Sequence, residues 1–238
     1  FFNMPSAKKT KILATLGPAT STKSVLRDMI LAGVNVFRIN FSHADYSDVS
    51  ARIKMIRELN DELGVYTSIL ADLQGPKLRV GVMEEGIVVS PGDQVTFATG
   101  APFVGTATRA YMTYDSFPQD VKVGEKVLLD DGKLLFEVVS TNGKDEVVTK
   151  VVQGGPLKSK KGVNLPNTKI SLPALTEKDI EDAIFAIGEK VDWIALSFVR
   201  FSQDLKDLQE LIAKHTDLKI PIVSKIEKPE AIENIDEI

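Results

Sequence analysis

The chain contains no cysteine in its 238 residues, which excludes a disulfide framework and any thiolate-ligated metal. It contains no apolar run of about 18 residues, which excludes a helical membrane span. Residues 1–7 lack the basic start and apolar stretch of a secretory signal, so a cytoplasmic location is the expectation. An excess of one charge is also missing. With 29 Lys+Arg against 33 Asp+Glu the formal net charge is −4, which makes nonspecific nucleic-acid binding a poor expectation. A hydrophobic content of 43% beside so small a net charge excludes disorder. No internal repeat or low-complexity segment is present. The length lies close to the roughly 250 residues of a complete eight-stranded (β/α) barrel, and one whole barrel is the first expectation it raises.

From Lys8 onward, short β-rich runs alternate with amphipathic helical patterns. Residues 11–16 read as a strand. Ser21 reads as a helix cap ahead of Val25, Leu26, Met29 and Ile30 on one helical face, with Gly33 past the helix end. Residues 34–42 form a second strand. Val49, Ile53, Ile56, Leu59 and Leu63 recur at helical spacing, and 67–73 is a third strand, an order that predicts parallel βα units. After Gly75-Pro76 the texture changes to short strand-like runs parted by turn dipeptides, among them Asn142-Gly143, a two-residue hairpin signal. No helix is expected before about Ser171. The alternation resumes at Thr176-x-x-Asp179, a capping box ahead of Ile180, Ile184 and Ile187. Residues 192–199 and 220–227 are strands four and five, separated by a helix with Leu205, Leu208, Leu211 and Ile212 on one face, and Pro229 opens a last helix. The chain therefore divides into 1–75, a compact antiparallel β insert over 76–171, and 172–238. With the insert set aside, the remainder suffices for about five βα units. The expected fold class is α/β, a partial TIM (β/α)8 barrel with an inserted small antiparallel β-barrel.

Strands covered on both faces of a parallel sheet read as continuous apolar runs, so charge at period two within them needs a reason. In the second strand Val36, Arg38, Asn40 and Ser42 alternate with Phe37, Ile39 and Phe41. In the fifth, Val223, Lys225 and Glu227 share a side, and in the third Asp72 shares the side of Leu70. A half-exposed edge strand or a surface Lys–Glu pair would explain any one of these. Three strands placing charge at one rim is better explained by a site, because such barrels carry their chemistry at the C-terminal ends of the strands. Arg38, Asp72, Lys225 and Glu227 suit an anionic ligand plus a divalent cation held by oxygen, which points to phosphoryl chemistry. The insert adds Arg79, Lys158, Lys160 and Lys161. A lysine run is most often a solvated face, and a hinged β domain can also lower a cation onto bound phosphates.

Seven segments carry a resemblance to a known family: Lys11-Ile-Leu-Ala-Thr-Leu-Gly-Pro18, Val36-Phe-Arg-Ile-Asn-Phe-Ser-His43, Ala71-Asp-Leu-Gln-Gly-Pro-Lys-Leu-Arg79, Leu129-Asp-Asp-Gly132, Lys160-Lys-Gly-Val-Asn-Leu-Pro166, Leu172-Pro-Ala-Leu-Thr-Glu-Lys-Asp179 and Ile222-Val-Ser-Lys-Ile-Glu-Lys228. In this order, along nearly the whole chain, they resemble pyruvate kinase. The resemblance implies phosphoryl transfer from phosphoenolpyruvate to ADP, giving pyruvate and ATP. It implies that Lys225 stabilises the developing enolate and the phosphoryl in flight, that Arg38 contacts the phosphoryl group, and that Glu227 ligates a divalent ion, Mg2+ or Mn2+. Asn40, Ser42, Asp72 and the Leu73 carbonyl correspond to ligands of a monovalent cation. Asn40, Ser42, His43, Arg79 and Lys161 correspond to nucleotide-binding positions, and the insert corresponds to a mobile lid. Relatives are usually homotetramers, and neither a nucleic acid nor a membrane is an expected partner.

Two departures from the family pattern bear on function. Potassium-dependent members commonly read Asp-Thr-Lys-Gly-Pro-Glu after the third strand, where this chain reads Asp72-Leu-Gln-Gly-Pro-Lys77. An ammonium at Lys77 could supply the charge that K+ otherwise would, so potassium-independent activity is expected. The family's next segment, which gives the metal a further carboxylate, would lie beyond Ile238, so the chain alone is expected to have no useful turnover. Two other readings remain: a noncatalytic nucleotide- or phosphate-binding module, and a barrel lyase or aldolase acting on phosphoenolpyruvate or a related 2-oxo acid.

Overall fold

A computed structural model describes residues 9–238. Along the chain the elements are β1 (Leu13–Thr15), α1 (Lys23–Leu31), β2 (Val36–Asn40), α2 (Tyr46–Leu63) and β3 (Ser68–Asp72). Then come β4 (Val88–Val89), β5 (Gln94–Ala98), β6 (Arg109–Tyr111), α3 (Phe117–Asp120), β7 (Lys126–Leu129), β8 (Leu134–Thr141), β9 (Glu146–Gln153), β10 (Gly155–Pro156) and β11 (Val163–Asn164). The chain closes with α4 (Glu177–Gly188), β12 (Trp193–Leu196), α5 (Ser202–His215), β13 (Ile222–Ser224) and α6 (Pro229–Glu233). It forms two compact units, one of residues up to Pro76 and from Pro173 onward, the other Lys77–Leu172.

In the first unit β1, β2, β3, β12 and β13 lie side by side in that order, every pair parallel. The sheet curls as a half-barrel, so the partial-barrel expectation holds and that of a whole barrel does not. Strand-to-helix transitions follow local chemistry. Thr22, not Ser21, caps α1, its hydroxyl accepting from Val25 N–H, and Leu26 and Ile30 form the buried stripe. Asp45 caps α2 by accepting from Asp48 N–H, and Gly64 ends that helix in the left-handed region at φ 64°. The Asn60 side chain then clasps Thr67, donating to its carbonyl at 2.9 Å and accepting its N–H at 3.1 Å, which sets the entry to β3. Val49, Ile53, Ile56 and Leu59 are buried as the spacing predicts, each contributing about 2 kcal/mol of apolar burial.

Helix α4 departs from its expected face. The Thr176–Asp179 capping box is present, but Ile184 is exposed and the buried residues are Asp179, Asp182, Ala183, Ala186 and Ile187. Two fully buried alanines, Ala183 and Ala186, lie on that face, and both buried carboxylates are hydrogen-bonded. Asp179 accepts the Gly75 N–H at 3.0 Å. Asp182 accepts from the Tyr46 hydroxyl at 2.7 Å and from Lys178, whose ammonium also reaches the Phe41 carbonyl at 3.1 Å. An acid buried with such partners is as much a core residue as an isoleucine.

The second unit is built on a six-stranded sheet, β11-β7-β8-β9-β5-β6, with a small β10-β4 pair. Isolated bridges Arg79↔Gly162 and Val80↔Met112 tie the segment after β3 to the chain beside both edge strands of the sheet. Three details differ from expectation. Strands β5 and β6 pair in parallel. A single-turn helix, α3, lies where none was expected; Phe117 packs edge-to-face on Phe97 in the core. The β8–β9 hairpin has the four-residue loop 142–145 in place of a two-residue turn, because Asn142 Oδ1 accepts the N–H groups of Lys144, Asp145 and Glu146. An Asn side chain that satisfies three successive donors favours the wider loop.

Candidate active site

The alternation in β2 places Phe37 and Ile39 in the core, with Phe41 just after, and turns Arg38 to the opposite side. Arg38 Nε donates to Asp72 Oδ2 at 2.7 Å, one terminal nitrogen lies 2.5 Å from the same oxygen, and the other donates to Thr15 Oγ1 at 3.0 Å. Asp72 ends β3 with its side chain only 4% exposed. Lys225, just past β13, donates to Asp72 Oδ1 at 3.2 Å and to Ser197 Oγ at 2.9 Å. Glu227 Oε1 lies 3.5 Å from the Lys225 ammonium, and Glu227 Oε2 accepts the Phe198 N–H at 3.0 Å. Neighbouring parallel strands thus bring to one rim four charges separated by up to 189 positions, since Arg38 and Glu227 lie at opposite ends of the sequence.

The electrostatics follow from that geometry. A buried carboxylate is stable only where its lost hydration is replaced, and Asp72 is met by a guanidinium on one side and an ammonium on the other. Both cations remain partly open, with side chains 27% and 30% exposed. They are therefore fixed in place yet able to meet a ligand, the arrangement that stabilises an anion best. Glu227, unlike Asp72, is largely open on its rim side, its side chain 35% exposed. Among the described residues no group of three or more acidic or histidine side chains could hold a metal ion by itself.

Asn40 pairs in register with Asp72 across β2 and β3, and its Oδ1 accepts the Ser42 N–H at 3.0 Å, capping the single 3-10 turn Phe41–His43. The second strand thus ends at Asn40, two residues earlier than its alternation suggests. The Leu73 carbonyl accepts the Ser197 hydroxyl at 2.7 Å. The His43 side chain lies outside the described residues. Beside Asn40 a cleft of about 380 Å3 is lined by Thr15, Gly17, Pro18, Asp48 and Arg52.

Arg79 and Lys161 belong to the second unit. The Arg79 guanidinium donates to the Lys160 carbonyl at 2.7 Å, and Lys161 lies 3.0 Å from Asp130. Asp130 and Asp131 take positive φ of 51° and 56° in the β7–β8 turn, presenting the Asp130 carboxylate to both Lys161 and Lys133. Hydrogen bonds from these two ammonium groups hold the Asp130 carboxyl below the usual carboxylate range. Lys158 is exposed, as a solvated lysine would be.

Sequence reasoning passed over Thr15, Ser197 and Phe198. Ser197 did carry a signal: it follows Trp193 and Ala195 at period two and is a polar residue at a strand's C-terminal end, the same sign that singled out Arg38, Asp72 and Lys225. Phe198 carried none, because its role rests on a backbone N–H and a positive φ of 56°.

Fold and rim together define an α/β barrel-type domain with two cations, Arg38 and Lys225, and two carboxylates, Asp72 and Glu227, gathered at the C-terminal ends of its strands. Comparison with known proteins is specific. A family model described as "Pyruvate kinase, barrel domain" matches residues 7–238. Pyruvate kinase of Bacillus licheniformis is 44% identical over 233 residues, covering 97% of this chain and 40% of the relative. Pyruvate kinase 2 of Synechocystis is 44% identical over 239 residues, with 98% and 40% covered, and pyruvate kinase of Clostridium perfringens is 39% identical over 232, with 97% and 49% covered. The chain belongs to the pyruvate kinase family. It spans less than half the length of these relatives.

Proposed function

We propose that the protein carrying this chain transfers the phosphoryl group of phosphoenolpyruvate to ADP, yielding pyruvate and ATP. The observation that carries this reading is the single buried carboxylate of Asp72 fixing both Arg38 and Lys225, with Glu227 beside the same ammonium. Phosphoryl transfer relies on positioning and charge stabilisation more than on covalent catalysis. Arg38 takes the phosphoryl oxygens, and Lys225 supplies positive charge to the phosphoryl group and to the enolate oxygen that forms as its bond to phosphorus breaks. A terminal oxygen of ADP forms the new bond, and the enolate then gains a proton at carbon.

Glu227 is assigned to Mg2+ or Mn2+. Its carboxylate is a hard donor, and magnesium commonly takes one or two carboxylates and completes its shell with water and phosphate oxygens. Bound there, the ion would neutralise charge on the transferring group. Asn40, Ser42, Asp72 and the Leu73 carbonyl stand at the positions of the family's monovalent-cation ligands, and Asn40, Ser42, His43, Arg79 and Lys161 are assigned to the nucleotide. We assign the second unit to the family's inserted β domain. Because Asp72 is already neutralised by two protein cations, and Lys77 stands where potassium-dependent members carry glutamate, the reaction is assigned as independent of K+.

A pyruvate-release assay on the whole protein carrying this chain, with phosphoenolpyruvate, ADP and Mg2+, tests the reading. ADP-dependent release that Lys225→Met lowers by about 10²-fold or more is expected. Release that does not need ADP would replace the kinase with a lyase, and nucleotide binding without turnover would leave a binding module. In the same assay, loss of nearly all rate when tetramethylammonium replaces K+ would overturn the potassium assignment.

A further inference from the structure

We infer that Ser197 is a positioning residue for Lys225. Ser197 lies just past β12, 2% exposed, and its hydroxyl joins the ends of three neighbouring strands. The Leu73 carbonyl can only accept and the Lys225 ammonium can only donate, so the roles are settled. The single hydroxyl proton goes to Leu73 O at 2.7 Å, and a lone pair of Ser197 Oγ receives Lys225 Nζ at 2.9 Å. Asp72 supplies the second acceptor for that ammonium. A lysine on a four-carbon stem has many rotamers, and two close acceptors at a fixed angle leave its nitrogen one place, with the third N–H on the side of Glu227 Oε1, 3.5 Å away. Ser197 is itself locked by its bond to Leu73 and by the Gly75 backbone, where a Cβ would lie 2.9 Å from Ser197 Cβ. Outer partners of this kind set the geometry of the groups that touch substrate.

The purpose assigned to the ammonium rests on the function proposed above; the contact does not, and the test separates them. In the 238-residue chain, Lys225 acetylation by an amine-directed anhydride, read by mass spectrometry, should quicken about five- to tenfold in Ser197→Ala. It should remain at the parent's rate in Ser197→Thr, which keeps the hydroxyl, and Ser197→Cys should behave as Ala does. In the protein carrying the chain, Ser197→Ala should lower kcat about 10- to 100-fold while KM for phosphoenolpyruvate moves less than about threefold, with recovery in Ser197→Thr. An unchanged acetylation rate in a folded Ser197→Ala or Ser197→Cys chain overturns the inference. So does a loss confined to KM. Absence of any phosphoenolpyruvate turnover in the parent would defeat the proposed function while the acetylation result still decides the role of Ser197.

Discussion

Replacing Gly75 with alanine tests how the rim is held. Gly75 sits at φ +69°, and a Cβ there would lie 2.9 Å from both Phe198 Cδ2 and Ser197 Cβ. Two costs add. The left-handed conformation costs an L-residue about 1–2 kcal/mol, and forcing a methyl into a packed contact costs about 1–3 kcal/mol. The sum is a loss of about 2–5 kcal/mol. Two other glycines of the same unit separate the contributions. Gly64 has φ +64° with nothing within 4 Å of its Cβ position, so Gly64→Ala should cost about 1 kcal/mol from backbone strain alone. Gly188, at the end of α4 with open space and no positive φ, should become about 0.5–1 kcal/mol more stable as alanine. The single tryptophan of the 238-residue chain, Trp193, lies in β12, so its fluorescence during urea unfolding of this chain reports the first unit specifically. If Gly75→Ala costs no more than Gly64→Ala, the close approach of Gly75 to the Ser197 and Phe198 side chains is not constraining the rim, and the argument that this turn holds Ser197, and through it Lys225, loses its support.

Asp72→Asn keeps the volume of the side chain and removes the anion between Arg38 and Lys225, leaving two partly exposed cations facing each other. Urea unfolding followed at Trp193 should show a loss of about 1–3 kcal/mol; a loss below about 0.5 kcal/mol would mean that Asp72 does not anchor both cations. The Tyr46 phenol, by burial first and by its hydrogen bond to the Asp182 carboxylate second, is pushed up from 10.0 to about 12. Because the folded value is the higher one, the protonated phenol contributes stability in full below pH 10, and this is lost as pH rises toward 12. With the residue 39% exposed, solvent screening reduces this contribution to about 1 kcal/mol. The stability difference between the parent and Tyr46→Phe, which keeps the ring stacked on Phe185, should shrink by that amount between pH 9.5 and pH 12. A constant difference would refute the shift.

The strands were legible because their signal is local. Arg38 among Phe37, Ile39 and Phe41, and Lys225 and Glu227 at period two, mark polar sides of otherwise apolar runs, and a reader of the sequence can pair them with Asp72 by the rule that barrel chemistry gathers at one rim. Strand ends were less legible. The second strand stops at Asn40 because the Asn40 side chain caps a 3-10 turn, a choice between two local hydrogen-bond patterns that alternation does not reveal. The buried face of α4 departs from its apolar rhythm for a different reason. Ile184 follows a helical apolar rhythm, yet Asp179 and Asp182 occupy the interior because their partners, Gly75, Tyr46 and Lys178, include residues more than a hundred positions away.

By itself, the sequence determined the α/β class, the order of parallel units, the interruption by a β-rich insert, and which charged residues stand at strand ends, since each depends on neighbours two to four positions apart. Tertiary structure alone decided that Asp72 holds Arg38 and Lys225 at once, that one hydroxyl at Ser197 joins Leu73 to Lys225, and that Glu227 is aimed by the backbone of Phe198. Those contacts span 28 to 153 positions. Their energies come from burial and from the replacement of lost hydration, which exist only once the strands lie side by side.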